Sequence, residues 1–402
     1  MTGIYPLKGT IKHYDWGGLS FIPSLLNIDN KDNKPFAEYW MGTHPLGNSI
    51  VETESGNKKL DEVAGHLPYL FKAQEVKEML SIQAHPSKAD AEKEFARENA
   101  EGIPLDVPYR NYKDDNHKPE MLVALDDFWL LHGFKSPKEL EYTLLNVVQL
   151  SELLPIYNQS GYAGLYKYVM EMPQAEVNRI LKPLVDCLIP LYKEDKFEKD
   201  EEDFWAARAA LTFNKPAGNQ KPATGNRQPT SIDRGIFSIY LFNLVHLKRG
   251  EGIFQDAGVP HAYLEGKNVE LMANSDNVLR GGLTNKHIDV KELLKHVKCE
   301  PTSVDILIGE QAGKYEKVYK TPAPEFQISL FDLKAGDAAS FTPVTTEIVL
   351  LTDGIAELTD GDHRVELKTG SPSAVAFKGK TVKLNAITNT TLFRASVPVS
   401  SR

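Results

Sequence analysis

Four residues far apart in the chain carry side chains that together suit a metal ion. They are Gln83 and His85 in SIQAHP, Glu120 in NHKPEM and His261 in GVPHAYLEG. Gln83 and His85 are two apart, so a strand there would put both side chains on one face. His261 follows Val259-Pro260 at the head of a second short apolar stretch. Two imidazoles, a carboxylate and an amide oxygen fit a borderline divalent ion such as zinc. With one anionic ligand, Zn²⁺ would keep a net charge of about +1 and its Lewis acidity, which favours catalysis over a structural role. No spacing rule joins the four. Each histidine taken alone reads more simply as a hydrogen-bonded core or surface residue.

The segment after His261, EGKNVELMANSDNVLRGGLTNKHID, is polar for a strand and turn. It places Glu270, Asp276, Arg280 and Lys286 in one short stretch. Two readings stand side by side: a solvated loop with local ion pairs, or a site wall with a base and cations for an anionic substrate. Gly281-Gly282 would let backbone approach a ligand closely. Lys118 lies two residues before Glu120, across Pro119. Lys88 and Arg97 read as helix-surface charges. There is no Gly-x-Gly-x-x-Gly between strand and helix, no Walker A motif and no Gly-x-Ser-x-Gly elbow.

The elements that must position these residues form a pattern. Residues 1 to 135 read as short strands and turns, with one helix capped by Ser87. The texture changes at Ser136, where SPKE offers a capping box. Residues 136 to about 213 read as helical, with Pro183 and Pro190 as breaks. The Pro/Gly/Asn-rich stretch from Asn214 to Thr230 is expected to be a mobile loop. Strand texture returns from Arg234, with a short helix near 287 to 297. From Pro301 nearly everything reads as short strands, with turns recurring about every ten residues. LKRGE (Leu247 to Glu251) recurs as LKAGD (Leu333 to Asp337). Two related β-barrels, the first with a helical insertion, would explain the echo. His363, in DGDHR, has no ligand set around it and is read as structural.

The chain has 402 residues, enough for two or three domains, and a net charge of −9. No run of Lys and Arg interleaves with aromatics, which argues against nucleic-acid binding. No apolar run approaches the roughly 18 residues that span a bilayer, and no secretory signal is visible. The two cysteines, Cys187 and Cys299, are expected to be free, buried thiols in a cytoplasmic protein. Nothing fixes the oligomeric state, and a monomer is allowed.

The motifs YDWG, FAEYWMGTHP, LPYLFK, SIQAHP, NHKPEM and PHAYLEGKNVELMANSDNVLRGGLTNK together resemble the type I mannose-6-phosphate isomerases of the cupin superfamily. The resemblance runs in order from Tyr14 to Lys286; the C-terminal hundred residues match only in texture. It implies a mainly β fold: two cupin-type jelly-roll barrels plus an inserted helical domain. Residues 1–135 and 231–300 would form the metal-bearing barrel, 136–230 the insertion and its exit loop, and 301–402 a cupin-like barrel without a metal. The resemblance makes Gln83, His85, Glu120 and His261 the ligands of one Zn²⁺ per chain, and Arg280 the catalytic arginine.

The implied activity is interconversion of mannose 6-phosphate and fructose 6-phosphate through a cis-enediolate. Glu270 or a metal-bound hydroxide would be the base. Lys118, Lys286 and Asp276 would contact the hexose 6-phosphate. An iron-dependent cupin dioxygenase is the competing enzyme, weakened by Gln83 standing where a histidine is expected. A sugar-binding cupin without turnover is the non-enzymatic alternative. Metal content and oxygen consumption separate the first, and turnover the second.

Overall fold

One long strand, His261–Ala273, is the spine of the first barrel. Its first residues pair with Phe128–Phe134 and with Ile82–Ala84. From Gly266 onward it pairs with Tyr69–Val76 on one side and Glu120–Ala124 on the other. A single strand thus passes from one sheet of the barrel into the opposite one. The bend lies at Gly266, whose φ is 131°. A Cβ there would sit 2.5 Å from the Asp127 carbonyl oxygen, so only glycine fits. The computed structural model that reveals this describes residues 1–216 and 230–398. Most of the loop expected between Asn214 and Thr230 lies outside the described residues.

The second barrel packs a nine-stranded sheet against a four-stranded one. Three strands of the larger sheet, Gly3–Lys8, Ile50–Thr53 and Gly56–Lys59, come from the N-terminal region that the sequence reading assigned to the first barrel. Gly3–Lys8 pairs with Ser373–Phe377 on one edge and with Ile50–Thr53 on the other. A continuous apolar core joins the barrels through Tyr69, Phe71, Met121 and Leu271 of the first and Phe326, Ile348 and Val375 of the second. In the first barrel, Leu122, Phe128, Leu130, Val245 and Tyr263 form a further apolar cluster.

The internal echo is a repeated turn. Lys248 N–H donates to the Glu251 carboxylate at 2.8 Å, and Lys334 N–H to Asp337 at 2.9 Å. Gly250 N–H bonds Ala124 O and Gly336 N–H bonds Ala386 O, both at 2.9 Å. The lysine, the glycine and the acidic residue of the two segments make equivalent hydrogen bonds in the two barrels.

The helical region packs on the outer face of the first barrel. It contains Pro137–Asn146, Leu154–Glu171, Gln174–Lys193 and Glu202–Phe213. Ser136 caps the first of these, with Glu139 reaching back to the Ser136 N–H. The expected breaks at Pro183 and Pro190 are not there: both lie inside one continuous helix, Gln174–Lys193. Both prolines are on its exposed face, where water can satisfy the freed carbonyls. The opposite face buries Val177, Ile180, Leu181, Leu184, Val185 and Leu188, which outweighs a cost of about 3 kcal/mol per proline. The same helix exposes Cys187, so the expectation of two buried thiols is corrected; both cysteines are free. His363 bonds Asp360 at 3.0 Å and Tyr5 at 3.1 Å, consistent with its structural reading.

Replacing the cap, Ser136→Ala, should cost about 1 kcal/mol of stability. Urea unfolding of the variant should show a lower midpoint with kcat unchanged. An unchanged midpoint would mean that packing alone holds this helix start.

Candidate metal centre

Strand pairing alone sets four polar side chains in a row. His261 lies opposite both His132 and Gln83, and Gln83 lies opposite Arg280. Directly opposed residues in an antiparallel ladder share a face. The row His132–His261–Gln83–Arg280 therefore lines one wall of the barrel. Glu120 faces it from the other sheet, opposite Met272 and Gln255.

His85, Glu120 and His261 converge, with one ligand atom of each lying within 4.8 Å of the others. Glu120 Oε1 is 3.6 Å from His85 Nε2, and Oε2 is 3.3 Å from His261 Nε2. The far nitrogens are already used: His85 Nδ1–H donates to Asn277 O at 2.7 Å and His261 Nδ1–H to Val259 O at 2.9 Å. Such bonds fix each ring with Nε2 free to bind a metal. His85 Nε2, His261 Nε2 and Glu120 Oε2 are buried without any hydrogen-bond partner. Three orphaned donor atoms facing one point fit a divalent cation, and would be costly without one. Gln83 stands between His261 and the cleft, 9% exposed.

Electrostatics agree with that fit. Burial pushes the His85 imidazole down to about 4, helped by Lys118, so the ring is neutral as a ligand must be. Burial works to raise the Glu120 carboxyl, but the Lys118 ammonium holds it well below the usual range. Lys118 Nζ lies 2.8 Å from Glu120 Oε1. The preceding His117 bonds Glu325 at 2.7 Å, a residue of the second barrel.

A cleft of ≈600 Å³ opens beside Gln83, walled by Arg280, Lys286, Tyr14, Trp16 and Phe213. Phe213 ends the helical insertion, so that insertion builds part of the cleft. No carboxylate among the described residues pairs with Arg280 or Lys286. Burial lowers the pKa of both, and Arg280 lowers that of Lys286 further. Two neighbouring cations without counter-ions make an anion site. Asp276 lies 3.4 Å from His44.

Glu270 lies deeper, two residues along its strand from the Met272–Glu120 pair. It is 2% exposed. Its carboxylate accepts from Lys72 Nζ at 2.6 Å and from Tyr263 OH at 2.9 Å. Lys72 also faces Glu38 at 3.5 Å, and Glu38 accepts from Trp40 and Gln74, each at 2.7 Å. Burial opposes the Lys72 charge, but Glu270 and Glu38 outweigh it and raise its pKa. One ammonium serves two carboxylates, and burial raises the Glu270 pKa. Sequence reading missed Lys72, Glu38 and Tyr263. The available signal was a lysine inside an otherwise apolar strand, in LPYLFK.

His132 was also missed. Its Nδ1–H donates to Gln255 Oε1 at 2.7 Å, bridging the two sheets behind the ligands.

Comparison with known proteins follows the same line. Residues 4–137 match the model of the family described as phosphomannose isomerase type I, catalytic domain. Mannose-6-phosphate isomerase of Salmonella typhimurium is 33% identical over 391 residues, covering 92% of this chain and 94% of its own. The human mannose-6-phosphate isomerase is 33% identical over 359 residues, 81% of each chain. A crystal structure of the Salmonella protein bound to substrate (F6P) and zinc superposes with a TM-score of 0.84 at 30% identity. It covers 99% of this chain and 100% of that one.

Two outcomes are expected of the metal-free protein. Zinc titration should show one tight site, lost in Glu120→Ala; wild-type zinc affinity in that variant would exclude Glu120 as a ligand. The second concerns pH. Burial pushes His132 down to about 4, against about 6.5 in an unfolded chain. Its contribution to stability is therefore full above about pH 6.5 and lost as pH falls towards 4. Denaturation measured across that window should fall less steeply in His132→Gln than in the parent. His85 titrates in the same window, so part of the slope will remain. Identical slopes would show that His132 is not held neutral.

Proposed function

The chain belongs to the type I phosphomannose isomerases, and from that membership we propose how its residues divide the work of a zinc-dependent aldose–ketose isomerase. The reaction interconverts mannose 6-phosphate and fructose 6-phosphate. The observation that carries the assignment of roles is the row His261–Gln83–Arg280, which leads from the three orphaned ligand atoms into a cleft with two unpaired cations. Gln83, His85, Glu120 and His261 would hold the zinc. When bound, the ion supplies Lewis acidity that stabilises negative charge on substrate oxygen.

In this reading Lys286 holds the phosphate, and Arg280 beside it faces the reacting end of the sugar. The sugar extends from there towards Gln83. Isomerisation moves a proton between C2 and C1 through a cis-enediolate. Arg280 then faces charge that develops only in the transition state, where a preorganised guanidinium helps most. Lys118 stands against Glu120 and would contact a substrate hydroxyl or oxygen near C1. Asp276, paired with His44, would hold a hydroxyl from the other rim.

We assign the proton transfer to Glu270. Burial raises its carboxyl above the ordinary range, which makes it a stronger proton acceptor than an ordinary carboxylate. Lys72 and Tyr263 orient it and can pass the proton on. The chain's division into a catalytic barrel, a helical insertion and a C-terminal barrel is our reading too. It is amended by the three N-terminal strands that join the last unit. Two free thiols support a cytoplasmic location, and among the described residues no helix is long and apolar enough to cross a membrane.

A coupled assay with mannose 6-phosphate, before and after chelation and zinc return, tests the reading as a whole; full activity in zinc-free protein would overturn it. Arg280→Ala should lose about 10²–10³ in kcat while keeping zinc and fold. Lys286→Ala should act mainly on KM. An Arg280→Ala variant changed in KM alone would make Arg280 a phosphate anchor.

A further inference from the structure

Asp233 has no part in the roles assigned above. It stands two residues before Gly235, where a short helix, Gly235–Leu241, begins. Its carboxylate accepts three backbone N–H groups. Oδ1 takes those of Gly235 at 2.7 Å and Leu283 at 2.8 Å, and Oδ2 that of Thr284 at 3.3 Å. The adjacent Arg234 does not pair with it; its guanidinium bonds the carbonyls of Met170 and Met172.

The bond from the Gly235 N–H is local, spanning two residues at the start of a helix whose N-cap is Arg234. The other two donors belong to the segment between Arg280 and Lys286. Leu283 there has φ of 51°, a left-handed conformation that leucine rarely takes. Its side chain is buried in the core under the helical region. Successive N–H groups in such a bend converge and form a small anion-binding concavity. Asp233 is the anion that fills it. The backbones also touch: a Cβ on Gly282 would lie 2.4 Å from Gly235 Cα, and one on Gly235 2.6 Å from Leu283 N.

The two cations of the cleft stand on either side of this bend. Arg280 precedes it and is fixed by its strand pairing with Gln83. Lys286 follows it, beyond the strand, with its N–H on Thr284 Oγ1 at 3.1 Å. The position of Lys286 therefore depends on the conformation of Leu283 and Thr284, which Asp233 holds.

We propose that Asp233 is a positioning residue for substrate binding. Its carboxylate occupies the concavity at Leu283–Thr284, denies that concavity to the substrate's phosphate, and so sets Lys286 beside Arg280 to receive it. The inference rests on the reading of Lys286 as a phosphate partner.

The test uses zinc-loaded full-length enzyme and four variants: Asp233→Ala, Asp233→Asn, Lys286→Ala and the Asp233→Ala/Lys286→Ala double. KM for mannose 6-phosphate, kcat, zinc content and Tm are measured for each. Asp233→Ala should raise KM about ten-fold with kcat within about three-fold and zinc unchanged. Asp233→Asn keeps one oxygen but turns an amide N–H₂ towards a donor, and should shift KM less in the same direction. The double variant should have the KM of Lys286→Ala, because both act on one contact. Unchanged KM in both Asp233 variants, a fall in kcat at constant KM, additive effects in the double, or failure of both variants to fold would each overturn the proposal and leave Asp233 a structural cap. If Lys286→Ala raises KM and the Asp233 variants do not, the phosphate reading survives alone. If Lys286→Ala leaves KM unchanged, the phosphate reading falls and this inference with it.

Discussion

Two imidazole nitrogens and a carboxylate oxygen are buried at one point with no protein partner. That arrangement is unstable unless a cation completes it. Much of the first barrel serves to keep the three atoms there. Asn277 and Val259 carbonyls turn the rings. Lys118 keeps Glu120 charged, and a contact from the second barrel, Glu325 to His117, braces the segment that carries both. The ligands come from both sheets, so the centre exists only if the sheets face each other in the correct register.

Register is enforced by the bend at Gly266. Before it, the spine strand places His261 on one wall; beyond it, the same strand places Glu270 on the other. Between these walls lie two layers of different character. The upper layer is the ligand set, which needs a neutral His85 and a charged Glu120. The lower layer is Lys72 with Glu38 and Glu270, closed by Tyr263, Gln74 and Trp40. The lower layer sets one ammonium between two hydrogen-bonded carboxylates, while the upper layer leaves three atoms for a cation to complete.

The convergence of His85, Glu120 and His261 was legible in the sequence because metal chemistry restricts side-chain type; His85 itself lies just past the strand Ile82–Ala84 that carries Gln83. The helical insertion was legible from its capping box. The helix across Pro183 and Pro190 was not: propensity penalises each proline, while the buried stripe opposite them is visible only once the helix is assumed. Lys72 and Glu38 were hidden for a similar reason. Their partners lie about 30 to 200 residues away, and a charged residue in a strand looks solvated until a neighbouring strand covers it. Asp233 left no signal, since its partners are backbone groups of the Leu283 bend. The origin of Gly3–Lys8 could not be read either, because pattern reports that a strand exists and not which sheet receives it.

That first strand has a history as well as a place. Its partner across the sheet, Ser373–Phe377, is made long after it. At ribosomal speeds of about 5–20 residues per second, the N-terminal strand waits on the order of tens of seconds before its ladder can close. During that time its edge is bare and open to pairing with other nascent chains. Pro6 lies in the middle of the strand and Lys8 at its end. The proline offers no N–H to a stranger, and the lysine is poorly placed to be buried by one. The strand that closes the second barrel thus carries, in its own sequence, features that discourage it from closing anything else first.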